Sequence, residues 1–191
     1  MHVTAKFVKL LLVVALVALS SACGEFTREG RSPVVLVVDR LSVDDDAGTL
    51  LSDVVTEGSI INDMAEAELR IVLKDPGAPG VSSNPSALNA VTVTRYHVEY
   101  RRTDGRNVQG TDVPYAFDSG TTVTIAESEA AKFQIVRHTA KAEAPLKALA
   151  TNGEIISTIA YVTFYGHDQA GNDVSASASI GIDFGNFADP D

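Results

Sequence analysis

The chain has 191 residues, a formal net charge of −10 at pH 7, 45% hydrophobic residues and a single cysteine. The acidic balance argues against nucleic-acid binding, because phosphate recognition depends on clustered Lys and Arg. One cysteine excludes an intrachain disulfide, so stability must come from an ordinary hydrophobic core, and the length suits one folded domain.

The first 22 residues have the order of a secretory signal peptide. Lys6 and Lys9 form a basic n-region, an uninterrupted apolar h-region covers 10–19, and the small residues 20–22 precede Cys23. The h-region is roughly half of the ~20 residues that a membrane-spanning helix needs. The sequence therefore predicts a cleaved signal peptide rather than a permanent membrane span.

The junction at Cys23 resembles the lipobox of bacterial lipoproteins. In that family the cysteine becomes the first residue of the mature chain and carries a thioether-linked diacylglycerol, usually with an amide-linked third acyl chain. The resemblance implies lipidation of Cys23 and a lipid anchor in the cell envelope, and two or more acyl chains suffice for stable anchoring. Gly24, rather than Asp, favours the outer membrane in enteric-type bacteria, with the protein facing the periplasm or the cell surface. The alternative is an ordinary cleavage site followed by an unmodified thiol.

Residues 23–32 form the predicted lipidated N-terminus and tether, because the segment after the cysteine is short, polar and contains glycine. Residues 33–191 then form a single domain. Removal of residues 1–22 deletes Lys6 and Lys9 but no acidic residue, so the net charge of the remainder moves to about −12. Such a surface does not favour attraction to anionic lipid headgroups, which leaves the lipid as the expected membrane contact.

Period-two alternation dominates the predicted domain and indicates a sheet with one buried face. The continuous run Val34 to Val38 predicts a strand buried on both faces, and Ile155 to Tyr165 has the composition of a central strand. Shorter candidate strands cover 121–126 and 133–138. The clearest alternating stretches have these inward positions: Leu69, Ile71 and Leu73; Tyr96, Val98 and Tyr100; Val174, Ala176, Ala178, Ile180, Ile182 and Phe184.

Two segments have helical composition. Ile61 to Glu68 could form a turn or two, and Ala140 to Ala150 could form a short helix that Pro145 interrupts. Turn signals at 44–48, 75–77, 103–105 and 169–172 separate the strands. About seven strands with such turns predict an all-β antiparallel sandwich.

Two stretches carry a resemblance to a known fold. Residues 94–102 resemble the third strand of fibronectin type III-like domains, with apolar residues inward and charges outward. Residues 160–172, which end in Asp168-Gln-Ala-Gly-Asn172, and the strand after them resemble the closing hairpin of that fold and of bacterial immunoglobulin-like domains. The resemblance implies an immunoglobulin-like sandwich with insertions in its first half, and that fold hosts many unrelated functions.

The sequence holds few candidates for catalysis or metal binding. His97, His138 and His167 are far apart in sequence and include no H-x-x-x-H pair, so a zinc site would require the fold to bring them together. Residues 44–46 (three aspartates) and the group around Asp168 could supply oxygen ligands to calcium, but solvated turns are the favoured explanation for both. No nucleophile elbow or phosphate-binding loop is present. We therefore predict no catalytic residue, cofactor or metal ligand.

The connection 103–117 is the candidate binding loop, since long loops on a rigid sandwich often carry binding residues. Its candidate contact residues are Arg106, Asn107, Gln109 and Tyr115. The sequence thus predicts a lipid-anchored envelope protein that acts as a non-enzymatic binding or assembly subunit for an envelope protein partner. The alternative is an envelope lipoprotein that binds a small ligand or a metal.

Overall fold

A computed structural model of the chain describes residues 31–43, 48–75, 77 and 84–187. Within them, eight strands form two sheets, joined by a 3₁₀ helix and two short α-helices. The elements are β1 (Val34–Ser42), β2 (Leu50–Asp53), β3 (Asp63–Leu73), the 3₁₀ helix (Ala87–Asn89), β4 (Val91–Arg101), β5 (Phe117–Ile125), β6 (Ser128–Val136), α1 (His138–Lys141), α2 (Leu146–Asn152), β7 (Ile156–Asp168) and β8 (Asp173–Gly185).

The two sheets have the strand orders β1-β3-β6 and β2-β8-β7-β4-β5. This confirms the predicted all-β class. One pairing departs from the antiparallel prediction: the four-residue strand β2 runs parallel to the end of β8, with Leu50 opposite Ile182. Local sequence does not indicate β2, because four residues are too few to display a period.

Aromatic side chains from both sheets meet in the core. The Phe133 ring of β6 lies 5.1 Å from the Tyr96 ring and 5.2 Å from the Phe164 ring, both edge to face. The Tyr100 hydroxyl donates to the carbonyl of Ile135 over 2.6 Å, and the Gln134 backbone N–H donates to the Tyr96 hydroxyl over 3.1 Å. These hydrogen bonds satisfy the two buried phenols and tie the sheets together. Burial raises the pKa of Tyr100 far above its usual value.

The predicted alternation is confirmed in the central strands. Tyr96, Val98 and Tyr100 of β4 are buried, and so are Ile180, Ile182 and Phe184 of β8. The intervening residues of β8 are small or polar and lie on the outer face of the five-stranded sheet. Their alternation is a property of the pleat, so it could be predicted from local sequence alone.

Two predictions about individual segments are wrong. Val34 to Val38 is not buried on both faces, because Val35 is 43% exposed beside Val72 on the outer face of the three-stranded sheet. The helical turns expected over Ile61 to Glu68 are absent, since β3 begins at Asp63. In β3 the alanines at 65 and 67 point into the core, so pairing with β1 and β6 overrides their helix propensity.

Different loops and helices lie at the two ends of the sandwich. The chain enters β1 at one end, which we call the tether end, where the Ser32 hydroxyl hydrogen-bonds Asp168 in the β7–β8 turn. The opposite end, the far end, carries loop 54–62, loop 102–116, α1 and α2, because β3 and β7 start there and β4 finishes there. The thirteen residues of β7 separate the two ends by about 40 Å at ~3.3 Å per residue.

Candidate functional site

A groove of about 660 Å³ opens at the far end between loop 102–116 and α2. Helix α2 begins directly after Pro145, whose fixed φ suits a first turn, and it ends before Gly153, which has a φ of +66°. Leu149 is buried against the core. The helix therefore has a fixed orientation, and its residues Ala148, Leu149 and Asn152 line the groove.

Loop 102–116 is held by its own polar side chains. The Asn107 Oδ1 accepts the Arg102 backbone N–H at 2.6 Å, and the Gln109 Oε1 accepts the Ala116 N–H at 3.2 Å. Of the four predicted contact residues, Asn107 and Gln109 thus already bond to the backbone. They shape the loop, and the Asn107 Nδ2 also donates to the Arg102 carbonyl at 3.5 Å.

Arg106 and Tyr115 are the two predicted contact residues with exposed side chains. The Arg106 side chain is 64% exposed and lines the groove. Tyr115 is 51% exposed, and its ring lies over Gly110, whose φ is +75°. A Cβ at position 110 would lie 2.5 Å from the Tyr115 Cζ, so glycine is required for this close approach.

Arg102 was not predicted, yet it is the less exposed cation of the groove. Its side chain is only 15% exposed, and its Nη2 donates to the Asp104 Oδ2 at 2.6 Å. The Arg106 Nε donates to the same oxygen at 3.0 Å. The pKa of Asp104 is held well below its usual value, chiefly by the hydrogen bond from the Arg102 side chain and next by the hydrogen bond from the Arg106 backbone N–H. Two cations therefore share one carboxylate at this side of the groove.

The opposite side of the groove combines apolar and polar groups. Ala148 and Ile155 contribute apolar surface, while the Asn152 Nδ2 donates to the Glu154 Oε2 at 3.1 Å. The groove thus combines apolar surface with an arginine side that also contains Asp112 and with an amide–carboxylate side. This arrangement fits a ligand or a partner segment with an apolar body and polar ends.

A buried ion pair lies beside the groove elements. The Lys141 Nζ of α1 donates to the Asp63 Oδ1 and to the Asp53 carbonyl, both over 2.7 Å, and the Ser52 Oγ donates to the Asp63 Oδ2 at 2.5 Å. Burial raises the pKa of Asp63, and the hydrogen bonds from Lys141 and Ser52 oppose that shift without cancelling it. The cluster joins α1 to both sheets, which is a structural role.

The three histidines considered as metal ligands lie at separate places. His97 is on the outer face of β4, with its Nδ1 3.3 Å from the Asp118 Oδ2. His138 is at the far end, where the Asn62 Oδ1 accepts its backbone N–H at 2.7 Å, and His167 is near the tether end. Within the described residues no group of three or more His, Cys, Asp or Glu side chains could hold a metal ion.

Asp168 organises the β7–β8 turn. Its Oδ1 accepts the backbone N–H groups of Ala170 and Asn172 at 2.9 and 2.8 Å, and its Oδ2 accepts the Asn172 Nδ2 at 2.8 Å. Burial raises the pKa of Asp168, but the bonds from Asn172, Ser32 and Ala170 outweigh it, so the net pKa is lowered. These contacts give Asp168 and Asn172 the turn-forming role. The predicted lipidation site Cys23 and the aspartates 44–46 lie outside the described residues.

Comparisons with known proteins give no family for this chain. No family model matches it, and no curated protein matches it. A putative late embryogenesis abundant protein has 10% identity and a TM-score of 0.40, covering 93% of this chain and 86% of that one. The sporulation control protein Spo0M from Bacillus subtilis has 11% identity and a TM-score of 0.31, covering 78% of this chain and 49% of Spo0M. Likenesses this slight carry no argument about fold family or function.

Among the described helices, none has the length and apolar character needed to cross a membrane.

Proposed function

We propose that this chain is a cell-envelope lipoprotein, anchored through Cys23, whose far end binds an envelope protein partner without catalysing a reaction. The N-terminal order of basic, apolar and small residues before the single cysteine supports the anchor. The position of the groove supports the binding role. It lies about 40 Å from the place where the tether joins β1, so an anchored molecule would present it away from the membrane.

The distribution of exposed apolar side chains also supports binding at the far end. Eleven large apolar side chains are exposed among the described residues, and seven of them lie at this end. Apolar surface that is concentrated in one region marks interaction sites more often than scattered residues do. The seven are Leu51, Ile60, Ile61, Met64, Val108, Tyr115 and Ile155.

We further propose that the sandwich is immunoglobulin-like, of the fibronectin type III-like kind. The sheet orders β1-β3-β6 and β8-β7-β4 correspond to the A-B-E and G-F-C orders of that fold. Strand β5 then extends the second sheet beside strand C. A folded domain of this class offers end loops for binding, which agrees with the position of the groove.

The anchor is tested by Cys23→Ala in cells fed radiolabelled palmitate. The native chain should incorporate label and sediment with membranes, whereas the variant should lose the label and appear in the soluble fraction. Membrane retention of an unlabelled variant would contradict attachment through this cysteine. Ser21→Ala is the matched control, and it should leave labelling unchanged.

The binding surface is tested by a photo-crosslinking amino acid placed at Ile155, beside the groove, in intact cells. The control position is Leu88, which is 84% exposed in the 3₁₀ helix at the tether end. A discrete protein adduct from position 155, lost when Ala148→Phe fills the groove, would support the proposal. The same adduct from position 88, or none from position 155, would contradict it.

A small-ligand function is the second candidate, because the groove volume lies within the ~300–1,000 Å³ typical of small-molecule sites. A melting screen with small organic acids, amines, calcium and zinc separates the two functions. Stabilisation by one compound that Ala148→Phe abolishes would favour the small ligand. A flat screen with an intact crosslink would favour the protein partner.

A further inference from the structure

Three arginines of the sandwich lie over aromatic rings. The guanidinium carbon is 3.9 Å from the ring centre for Arg95 over Tyr165, 5.2 Å for Arg101 over Tyr161 and 4.5 Å for Arg137 over Phe117. A ring in this position fixes the plane of the guanidinium and so aims its N–H groups. The three sites are alike in this respect.

The three sites differ in their carboxylates. The Arg95 Nη1 lies 3.2 Å from the Asp118 Oδ1, and Arg101 donates from Nε and Nη2 to Glu99 at 3.0 and 3.1 Å. Four further arginines also form ion pairs with a carboxylate, namely Arg40, Arg70, Arg102 and Arg106. Within the described part of the chain, Arg137 has no carboxylate within 4.0 Å.

The hydrogen-bonding state of Arg137 is also unusual. Its Nε is the one buried side-chain polar atom of the described residues that has no hydrogen-bond partner. The two Nη groups of Arg137 also have no hydrogen-bond partner among the described residues. They are not fully buried, so each keeps some surface in contact with solvent. Arg137 is thus a partly buried cation at the far end that lies over the Phe117 ring, and its two Nη groups have no hydrogen-bond partner among the described residues.

The charge balance makes the missing carboxylate of Arg137 informative. The chain has 25 acidic and only 15 Lys and Arg residues, so carboxylates are available for almost every cation. A guanidinium that is fixed in place and only partly hydrated binds a carboxylate end-on through both Nη groups, with two parallel hydrogen bonds. The fold provides no carboxylate acceptor for Arg137 among the described residues, so a bound molecule can supply one.

We propose that Arg137 is a recognition site for a carboxylate group at the far end of the domain. The carboxylate could belong to a free organic acid or to an acidic side chain or C-terminus of a protein. The proposal goes beyond the envelope-binding function and does not depend on lipid attachment, because it concerns one side chain of the folded domain.

The test follows the Arg137 Nε–H resonance in the full chain, purified as the cell produces it, by ¹H–¹⁵N NMR at constant ionic strength. One arm is titrated with glutarate and the other with a capped hexaglutamate peptide, with sodium chloride as the reference anion. We expect a saturable shift of the Arg137 signal that chloride does not give. A response to glutarate identifies free acids as sufficient, and a response to the peptide alone identifies a protein source.

Two substitutions complete the design. Arg137→Lys keeps the charge but lacks the planar pair of donors, and should bind the same probe about tenfold more weakly, with the backbone amide signal of the neighbouring His138 as the readout in both proteins. Arg101→Gln removes an arginine that also lies over an aromatic ring but already pairs with Glu99, and should leave binding unchanged. Non-saturating shifts in both arms, or equal affinities of the native chain and Arg137→Lys, would overturn the proposal.

Discussion

Lys141 and Asp63 form an ion pair of 2.7 Å in which the two side chains are only 1% and 14% exposed. The pair joins α1 to the first residue of β3, and the second hydrogen bond of Lys141, to the Asp53 carbonyl, reaches β2 in the other sheet. One ammonium therefore connects a helix of the groove region with both layers of the sandwich.

Removal of one member of this pair should destabilise the protein strongly. Lys141→Met leaves the Asp63 carboxylate buried without its counter-charge, and such losses cost about 3–5 kcal/mol. Urea unfolding followed by circular dichroism measures the free energy of unfolding. The double variant Lys141→Met/Asp63→Leu should recover most of the loss, since it leaves no buried charge. A double variant as unstable as the single one would contradict this explanation.

Asp168→Asn should remove part of the acid sensitivity of the domain. The folded state lowers the pKa of Asp168, so the stability that this carboxylate contributes is present above the unfolded pKa of ~3.8 and is lost as the pH falls through the folded pKa. At pH 7 the variant should be less stable by about 1–3 kcal/mol, because the turn amides lose their charged acceptor.

The difference in stability between the native protein and the Asp168→Asn variant should then shrink as the pH falls from about 5 towards about 2. Urea titrations at closely spaced pH values check this. A difference that stays constant over that range would show that the charge of Asp168 contributes nothing to the turn.

A charge inside the five-stranded sheet should prevent folding. Ile182 has no solvent exposure, so Ile182→Asp places an unpaired carboxylate in the core, where its desolvation is costly. Ser179→Asp is the matched control, because Ser179 lies on the outer, exposed face of the same strand. The control should melt cooperatively, and the absence of a melting transition in Ile182→Asp is the expected result. A cooperative transition in both would mean that the buried face is assigned wrongly.

Alanine variants of two glycines in the candidate binding loop distinguish the cost of backbone strain from the cost of a side-chain clash. Gly105 and Gly110 have φ values of +83° and +75°, and an added Cβ meets nothing within 4 Å at position 105 but meets the Tyr115 ring at position 110. Each alanine should cost about 1–2 kcal/mol from backbone strain. Only Gly110→Ala should also move the Tyr115 ring, which NMR of the tyrosine ring protons detects. An equal displacement in both variants would contradict the contact.

The sequence predicted the strands whose alternation lasts longest. β4 and β8 could be recognised because inward apolar and outward polar residues follow one another at every step. The helical prediction over Ile61 to Glu68 failed because alanine and glutamate favour a helix locally, whereas pairing with two neighbouring strands decides the conformation of β3. The short strand β2 exists only through its contact with β8.

The groove was only half predictable. Arg106 could be found because a long polar loop indicates binding, but Tyr115 of the same loop does not line the groove, and α2 contributes the other wall from some forty residues further along the chain. Arg137 and Lys141 produced no signal at all. Their importance comes from what surrounds them after folding, namely a missing carboxylate in one case and a complete set of acceptors in the other.

The entry of the chain into β1 at one end of the sandwich has a mechanical consequence. A pulling force between the proposed membrane anchor and a proposed partner at the far end would act along the strand axes. The hydrogen bonds between β1 and β3 lie across that direction, and the paired residues run from Val34 opposite Leu73 to Ser42 opposite Glu66. The ladder would therefore be loaded in shear, with its bonds sharing the tension, rather than opened one bond at a time.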